Sequence, residues 1–427
     1  MNSYQAPILA ALALAALSGC GTSSSVSNEN QQEAAVAPKT LYDLANHCYV
    51  MKVVDGDSSI GPGYVWRVAN SDGYAATAPD AASAERFYMK PTALGRYLFY
   101  AADASILTAG GGAVSGALEP VDGSDWTFDT PARGEYTAAS ASDDGLALAL
   151  DTAGKLVMAA TPDTFTFEPA SGCTAYPEIP DDVIGQTYKG RGVDKPVVGF
   201  AEVHTHMAMG NEMSDGTHPV GPSAGGVLYG QMFNRFGAPE ALKDCAVEHG
   251  PNGILDPEAL VLDFTPLKTH DTQGWPTFID WPAYDSQLHQ AMYYTWVERA
   301  WKAGLRIMVS EGTNISALCE LAKTLETTHN PAALGYDCND MNLGIAQVKY
   351  LYQLQDYVDA QEGGPGKGWF RIVSSPADAR KVINDGKLAV VPGLEFADLF
   401  NCTTKSVAGI GEVSGCTKED IDRQVDE

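Results

Sequence analysis

The spacing of hydrophobic and polar residues changes at about residue 180 of this 427-residue chain. From 45 to 175, short runs of alternating apolar and polar residues are separated by Gly, Asp and Ser, as in strands joined by tight turns. Beyond a proline-containing segment at 175–196, apolar runs alternate with longer stretches of helical period. The pattern therefore predicts an all-β domain followed by an α/β domain.

Aromatic strand starts recur within the first domain about every 39 residues, at Tyr49, Phe87, Trp126 and Phe165. Three such units closed by a fourth strand resemble a β-trefoil of the kind found in ricin-type lectin and fascin-like domains. The resemblance assigns a trefoil-like domain to residues 41–178 and implies either glycan binding or a spacer and docking role. No glycan-binding residue can be matched individually, so both roles stay open.

Four strand–helix units follow in the second domain. Strands are predicted at 196–207, 306–313, 369–375 and 388–400, and helices at 281–305, 340–363 and 375–386. This repetition predicts parallel strands with right-handed crossovers, which would curl into an incomplete α/β (TIM-type) barrel. Because a complete barrel has eight units, we expect 190–427 to be a partial barrel whose remainder lies in a longer parent protein. A half-barrel or a smaller open sheet is the alternative.

Two histidines stand one residue apart at the end of the first of these strands, in the sequence EVHTHM. Residues i and i+2 of a strand face the same side, so His204 and His206 can share a divalent cation while Thr205 points away. Glu395 ends the fourth predicted strand at the same edge of the sheet. Two imidazoles and a carboxylate suit zinc, so we expect one or two divalent metal ions, with zinc as the first choice.

The strand-end His-x-His followed by a fourth-strand carboxylate resembles the amidohydrolase superfamily of metal-dependent hydrolases. The sequence LAVVPGLE, which ends at Glu395, also resembles the glutamate strand of membrane dipeptidases, where this residue bridges two zinc ions. Those enzymes carry His-x-Asp at the position of His204 to His206. The resemblance implies that His204, His206 and Glu395 bind metal, and that later strands supply two more histidines and an aspartate. The chain alone would then be incomplete and inactive.

Other polar residues lie where they could line the same site. They are Glu311 at the second strand end, Ser374 and Ser375 at the third, His289 in a predicted helix, and His218 and His270 in long loops. Capping or support is favoured for Glu311 and the two serines and packing or a surface position for His289, whereas the long loops of His218 and His270 would cover the site and shape the substrate. The sequence contains neither a phosphate-cradling glycine loop nor a G-x-S-x-G serine motif.

An apolar run from about Ala6 to Leu17 opens the chain and is too short to span a membrane as a mature helix. The tetrapeptide Leu-Ser-Gly-Cys that ends at Cys20 resembles the bacterial lipobox, although no Lys or Arg precedes the run. The resemblance implies a lipoprotein signal peptide at 1–19, lipidation of Cys20 and a place in the bacterial cell envelope, lipid-anchored at the outer membrane or cell surface. Residues 20–40 are predicted to be a flexible tether. A plain secretory signal is the alternative.

Export permits disulfides, and seven cysteines remain after Cys20. The fourth aromatic strand of the first domain would pair beside the first strand, which brings Cys48 close to Cys173. The short spacings in the second domain suggest two further pairs. The predicted disulfides are Cys48–Cys173, Cys319–Cys338 and Cys402–Cys416, and Cys245 is left over.

The chain carries 27 Lys and Arg against 54 Asp and Glu, a formal net charge of -27, which argues against a nucleic-acid partner. The leading hypothesis is an exported, lipid-anchored, metal-dependent hydrolase. It would use metal-activated water on an amide, ester or related bond of a small-molecule or peptide-like substrate. The alternative is a non-catalytic surface lipoprotein that binds glycan or protein and carries a degenerate barrel.

Overall fold

Antiparallel strands dominate the first part of the structure. The computed structural model describes residues 37–54, 63–142, 145–183, 188–210, 213–214, 219–220, 228–254, 269–281, 289–326, 337–396, 398–407 and 411–426. The predicted signal peptide, Cys20, most of the predicted tether and His218 lie outside the described residues.

Twelve strands form one sheet: β1 Cys48–Val54, β2 Tyr64–Arg67, β3 Tyr74–Ala78, β4 Arg86–Ala93, β5 Arg96–Ala101, β6 Ile106–Gly110, β7 Ala113–Ala117, β8 Trp126–Ala132, β9 Glu135–Ser140, β10 Ala147–Leu150, β11 Leu156–Ala159 and β12 Thr164–Pro169.

Six of these strands close into a ring in the order β1, β4, β5, β8, β9 and β12, and β12 pairs back with β1. The other six form the hairpins β2–β3, β6–β7 and β10–β11. Every pairing is antiparallel, so the result is a closed antiparallel barrel extended by hairpins. Closure leaves no unpaired edge in the ring.

The interior of this barrel is filled with aromatic side chains. Phe99 lies at its centre, with ring centroids 5.4–6.1 Å from those of Phe87, Trp126, Phe128 and Phe167. Most of these contacts are edge-on or tilted, which is the arrangement that aromatic quadrupoles favour. The four aromatic strand starts of the sequence repeat are all fully buried. Each unit of the sequence repeat therefore contributes one of these aromatic residues to the core.

Parallel strands form a separate, smaller sheet in the second part of the chain. Its members are β13 Phe200–Thr205, β16 Leu305–Asn314, β17 Phe370–Ile372 and β18 Leu388–Phe396, in the spatial order β13-β16-β18-β17. Two short antiparallel pairs complete the described strands: β14 Met213–Ser214 with β15 Pro219–Val220, and β19 Thr404–Val407 with β20 Gly411–Ser414.

The described helices belong to the second part of the chain. They are α1 Ala238–Ala241, α2 Ala246–His249, α3 Tyr294–Ala303, α4 Ser316–Glu326, α5 Asp340–Gln361, α6 Pro376–Asn384 and α7 Lys418–Asp426, and 3-10 turns occupy Leu41–Leu44, Asp122–Ser124, Pro251–Gly253 and Leu399–Asn401. The Asn339 side chain caps α5 by accepting a hydrogen bond from the backbone N–H of Asn342. None of the described helices is long and apolar enough to cross a membrane.

Helix α5 also contacts the antiparallel barrel, and the described residues form one compact unit. The Nζ of Lys90 on β4 donates a hydrogen bond to Tyr357 Oη at 2.8 Å, and the side-chain amide of Gln361 donates to Pro91 O at 2.9 Å. Arg235 forms an ion pair at 3.2 Å with the buried carboxylate of Asp125 on the barrel side. Polar contacts therefore join the two sheets within one unit.

The predicted fold class, a trefoil-like domain followed by an incomplete TIM-type barrel, is wrong. Six of the first twelve strands close into an antiparallel β-barrel that the other six extend as hairpins, and the parallel strands do not have the order of a TIM-type barrel. In a TIM-type barrel each strand lies beside the next one along the chain, whereas here β16 pairs with β18 and the three-residue β17 lies outside β18. Alternating strands and helices predict parallel pairing but do not determine strand order. A small open sheet, the alternative considered above, describes these strands.

Residues 282–288 of the helix predicted at 281–305 lie outside the described residues, and the described helix in this range is α3, which begins at Tyr294. His289 instead makes a parallel β-bridge with Tyr229, and the backbone N–H of Gln290 donates to Tyr229 O at 2.7 Å. These bonds satisfy backbone groups that a longer helix would otherwise use. The change places His289 in an irregular, buried segment rather than on a helix face.

Candidate metal centre

The carboxyl ends of three parallel strands meet at one edge of the small sheet. Thr205 on β13 pairs with Ser310 on β16, and Glu311 pairs with Gly393 on β18. Side chains alternate along a strand, so His204, His206, Glu311 and Glu395 lie on the face opposite that of Thr205 and Ser310. One donor atom from each of these four residues lies within 4.8 Å of the other three.

Three of the four donors form a tight triangle. His204 Nε2 lies 3.2 Å from His206 Nε2 and 3.1 Å from Glu395 Oε2, and His206 Nε2 lies 3.2 Å from the same carboxylate oxygen. The two imidazole planes are almost perpendicular, at 86°. Glu311 Oε2 is the fourth donor, 3.5 Å from His204 Nε2. The structure therefore brings together the three predicted ligands and adds Glu311.

The orientation of His206 is set by the backbone of the neighbouring strand. Its Nδ1 lies 3.1 Å from the carbonyl oxygen of Glu311, which can only accept a hydrogen bond. A proton on Nδ1 leaves the lone pair of Nε2 directed toward His204 and Glu395. Metal-binding histidines commonly have such a carbonyl partner on the other ring nitrogen. Thr205, between the two histidines, donates through Oγ1 to Val309 O at 2.8 Å and is buried.

Glu311 reaches the cluster because its strand neighbour is a glycine. A Cβ on Gly393 would lie 2.8 Å from Glu311 Cγ, which is too close for an ordinary contact. Glu311 Oε2 is buried and, among the described residues, accepts no hydrogen bond. A carboxylate oxygen in this condition is costly unless a cation is nearby, which is the charge that a metal ion would supply.

One side of the cluster faces solvent. The side chains of His204 and Glu395 are 57% and 53% exposed, whereas those of His206 and Glu311 are 28% and 22% exposed. The two inner residues anchor the arrangement, and the two outer ones leave room for water or a ligand. Catalytic metal sites differ from structural ones in keeping such an open position.

The other sequence candidates lie elsewhere. Ser375 caps α6 by accepting from the backbone N–H of Asp378 at 3.1 Å, and Ser374 is exposed, so neither belongs to the cluster. His270 and His289 are in a different cluster, described below. The disulfides are Cys48–Cys173, Cys319–Cys338 and Cys402–Cys416, the pairs expected from the sequence, and Cys245 is in none of them.

Glu311 was expected to have only a capping or supporting role, although its position at a strand end also favoured a role in metal binding. Glu311 lies at the end of the strand between those of His206 and Glu395, which is the same criterion that selected Glu395. What the sequence could not show is that β16 lies between β13 and β18 in the sheet. That order places Glu311 between the other donors.

Comparison with known proteins gives no family assignment, because no protein-family model and no curated protein matches the chain. A crystal structure of the lysenin pore matches 32% of this chain and 49% of its own, at 13% identity and a TM-score of 0.26. A complex of lysenin with phosphocholine matches 30% of this chain and 46% of its own, at 12% identity and a TM-score of 0.24. A mosquitocidal holotoxin matches 30% of this chain and 17% of its own, at 16% identity and a TM-score of 0.24. The chain spans about half the length of the lysenin structures that it matches.

The resemblance to the amidohydrolase superfamily and the membrane dipeptidases is wrong, because the strand order of the parallel sheet is not that of a TIM-type barrel. The short motifs misled because all parallel strands end at the same edge of their sheet, in an open sheet as in a barrel. His204, His206 and Glu395 can therefore converge without that fold, and ligands beyond residue 427 are no longer implied.

Proposed function

We propose that His204, His206 and Glu395 bind a divalent metal ion, with zinc as the first choice, that Glu311 lies beside it as a general base, and that this chain is a metal-dependent hydrolase. Its substrate would be a small or peptide-like molecule with an amide, ester or related bond. The observation that carries the proposal is the convergence of four donor atoms within 4.8 Å at a solvent-facing edge of the parallel sheet.

The donor set fits such an ion in both chemistry and spacing. Imidazole nitrogens and carboxylate oxygens are ordinary zinc ligands, and metal–ligand distances of about 2.0–2.2 Å place tetrahedral donors about 3.3–3.6 Å apart. The three donors of the triangle lie 3.1–3.2 Å apart, so a slight expansion would admit the ion. The positive charge would also offset the repulsion between the carboxylates of Glu311 and Glu395.

A divalent ion at this position would act as a Lewis acid that activates water for attack on a carbonyl carbon. The residues of the chain would hold the metal, leave space for the substrate and accept the proton of the attacking water. Glu395 contacts both histidines and would serve as a ligand, while the solvent-exposed side of His204 leaves space for the substrate. Glu311, with the longest separation from His204, is the carboxylate placed to accept a proton from the attacking water.

Metal analysis and hydrolysis assays of the full chain test this proposal. We expect chelator-treated protein to be inactive on chromogenic amides and esters, and zinc to restore activity. His204→Ala and Glu395→Gln should lose one bound metal ion per chain and all activity. Glu311→Gln should keep most of the metal but lower turnover by about 10²-fold or more. Glu202→Gln is the matched control, since Glu202 is an exposed carboxylate on the same strand and outside the cluster.

Three results would contradict the proposal. An unchanged number of metal ions per chain in the Glu395→Gln and His204→Ala variants would contradict metal binding at this site, and full activity after chelation would contradict a role of the metal in hydrolysis. If metal binds but no amide or ester is hydrolysed, the hydrolase assignment fails, and a non-catalytic surface protein becomes the better explanation.

We also propose that the chain is exported and lipid-anchored through Cys20. Three disulfides support export, because such bonds persist mainly in oxidising compartments. Incorporation of labelled fatty acid into the wild-type chain, and its loss in Cys20→Ser, is the expected result. A wild-type chain that is exported without lipid would favour a plain secretory signal.

A further inference from the structure

A second group of metal-binding side chains is separate from the site described above. It consists of Cys245, His249, His270 and His289, whose donor atoms all lie within 4.8 Å of one another. Cys245 Sγ lies 3.3 Å from His270 Nε2 and 3.3 Å from His289 Nε2, and His249 Nδ1 lies 3.4 Å from His270 Nε2. Cys245 is the cysteine left over from the predicted disulfides, and His249 belongs to none of the sequence motifs above.

Three segments of chain bring these residues together. Cys245 is the N-cap residue of α2, and the backbone N–H of His249 donates to Cys245 O at 2.9 Å, so one helical turn places both side chains on the same face. The N–H of His270 donates to Asn252 O at 3.1 Å. His289 is held by its β-bridge to Tyr229. Backbone hydrogen bonds therefore fix each segment at the cluster.

The surroundings of the cluster are buried and aromatic. Cys245, His249 and His289 are all at most 5% exposed. The Trp281 ring stacks on His289, with centroids 4.8 Å apart and planes at 18°. A Cβ on Gly253 would lie only 2.3 Å from His270 Nδ1, so glycine at this position makes room for the imidazole. The packing thus holds the histidine rings in fixed orientations rather than leaving them to rotate.

We propose that Cys245, His249, His270 and His289 bind a structural zinc ion, independently of the His/Glu site. With about 2.0–2.1 Å for Zn–N and about 2.3 Å for Zn–S, tetrahedral donors lie about 3.3 Å apart for two nitrogens and about 3.6 Å apart for nitrogen and sulfur. The observed separations of 3.3 and 3.4 Å are close to these tetrahedral edges. The three imidazole planes also meet at 70–83°, so the rings approach from different directions.

The chemistry of the donors selects the metal and the role. One thiolate and three imidazoles suit zinc and other soft or borderline transition metals, whereas magnesium and calcium require oxygen ligands. Four protein donors leave no position for water or substrate, which distinguishes a structural site from a catalytic one. Cys245 is the one cysteine among the described residues that is outside a disulfide, and it is fully buried. A bound zinc would hold this thiol away from disulfide exchange in a disulfide-containing chain.

Cobalt substitution tests this site separately from the first one. The full chain, with Cys20→Ser in every sample, is loaded with Co²⁺, and its absorption spectrum is recorded. Only a site with a thiolate ligand gives a sulfur-to-cobalt charge-transfer band, and the His/Glu site has no sulfur. We expect this band, with the intense visible bands of tetrahedral cobalt, in wild type and in the double variant His204→Ala, His206→Ala.

Cys245→Ser should lose the charge-transfer band and about one zinc ion per chain. Trp281→Phe is the matched control, because it changes a ring packed on His289 without removing a donor atom, and it should keep both. Absence of the band in folded, cobalt-loaded wild type would overturn the proposal without any variant. Unchanged zinc content in folded Cys245→Ser would overturn it equally, and if this variant does not fold, the wild-type spectrum decides. Failure here leaves the proposed hydrolase site untouched.

Discussion

Replacing Lys90 by Met should change how the stability of this protein depends on pH. Lys90 lies on β4, is 3% exposed, and its Nζ donates to Tyr357 Oη and to Pro91 O, each at 2.8 Å. Loss of water around the ammonium group lowers the pKa of Lys90 to about 8, while the carboxylates of Glu178 and Asp125 act in the opposite direction. The buried charge is therefore a pH-dependent cost to the folded state.

The size of this effect follows from the pKa of Lys90 in the folded and unfolded chain. Between about 8 and the ordinary value of 10.5, the unfolded chain binds more protons than the folded chain, so the free energy of unfolding rises with pH. The free-energy cost of burying the charged Lys90 ammonium group is fully present below about pH 8 and is absent above 10.5. At about 1.4 kcal/mol per pH unit, the interval corresponds to about 3 kcal/mol. Burial raises the pKa of Glu178, and loss of the nearby Lys90 charge would raise it further, so Glu178 adds to the effect.

Urea unfolding followed by tryptophan fluorescence, with the disulfides intact, measures the effect from about pH 7.5 to about pH 10.5. We expect the free energy of unfolding of wild type, minus that of Lys90→Met, to rise by about 3 kcal/mol across this range. The hydrogen bonds lost with Lys90 add only a pH-independent offset, because burial raises the pKa of Tyr357 well above its ordinary value, and the tyrosines of the unfolded chain titrate alike in both proteins. Lys195→Met, at an exposed position, should give a flat difference. A flat or falling difference for Lys90→Met would refute the reasoning.

Two further predictions concern the buried cluster and the barrel core. Gly253→Ala should lower the zinc affinity of the Cys/His cluster by about 10–100-fold, because its Cβ would meet His270 Nδ1 at 2.3 Å, and competition with a chromophoric chelator measures this. Gly366→Ala shares the positive φ but has open space around its Cβ, so equal zinc loss in both variants would contradict the steric argument. Phe99→Ala should lower the free energy of unfolding by about 3–5 kcal/mol, because it empties the centre of the aromatic core. Phe200→Ala, at a 52% exposed position, should cost about 0.5 kcal/mol or less by the same urea titration, and similar losses in both would contradict the assigned core.

The sequence predicted those features that depend only on the local spacing of hydrophobic residues, such as the presence of a strand. The alternation in the first domain predicted strands, and Tyr49, Phe87, Trp126 and Phe165 are all core residues of the antiparallel barrel. The strand predicted at 306–313 corresponds to β16, Leu305–Asn314. His204, His206 and Glu395 lie together because strand ends share an edge. Metal binding by these residues stays a prediction.

Strand order and the second cluster could not be predicted, because both depend on contacts between distant segments. Nothing in the local period of β17 and β18 shows that β18 lies next to β16. Cys245, His249 and His270 lie in short helices and irregular segments without a hydrophobic period, and His289 was assigned to a helix that begins only at Tyr294. Their convergence depends on backbone bonds such as that of His270 to Asn252, which no sequence spacing encodes.

The two clusters differ in solvent exposure, as a catalytic metal site differs from a structural one. The His/Glu donors lie at the open edge of a sheet, where His204 is 57% exposed, whereas Cys245 and His289 are enclosed by aromatic rings. A hydrogen bond connects the two regions: Gln290, next to His289, donates through Nε2 to Met207 O at 3.1 Å, directly after His206. An ion held by the buried cluster would fix Gln290 and therefore the backbone that orients His206. A short strand with exposed side chains does not hold a ligand rigidly by itself, and an ion in the buried cluster would supply rigidity that the open cluster lacks.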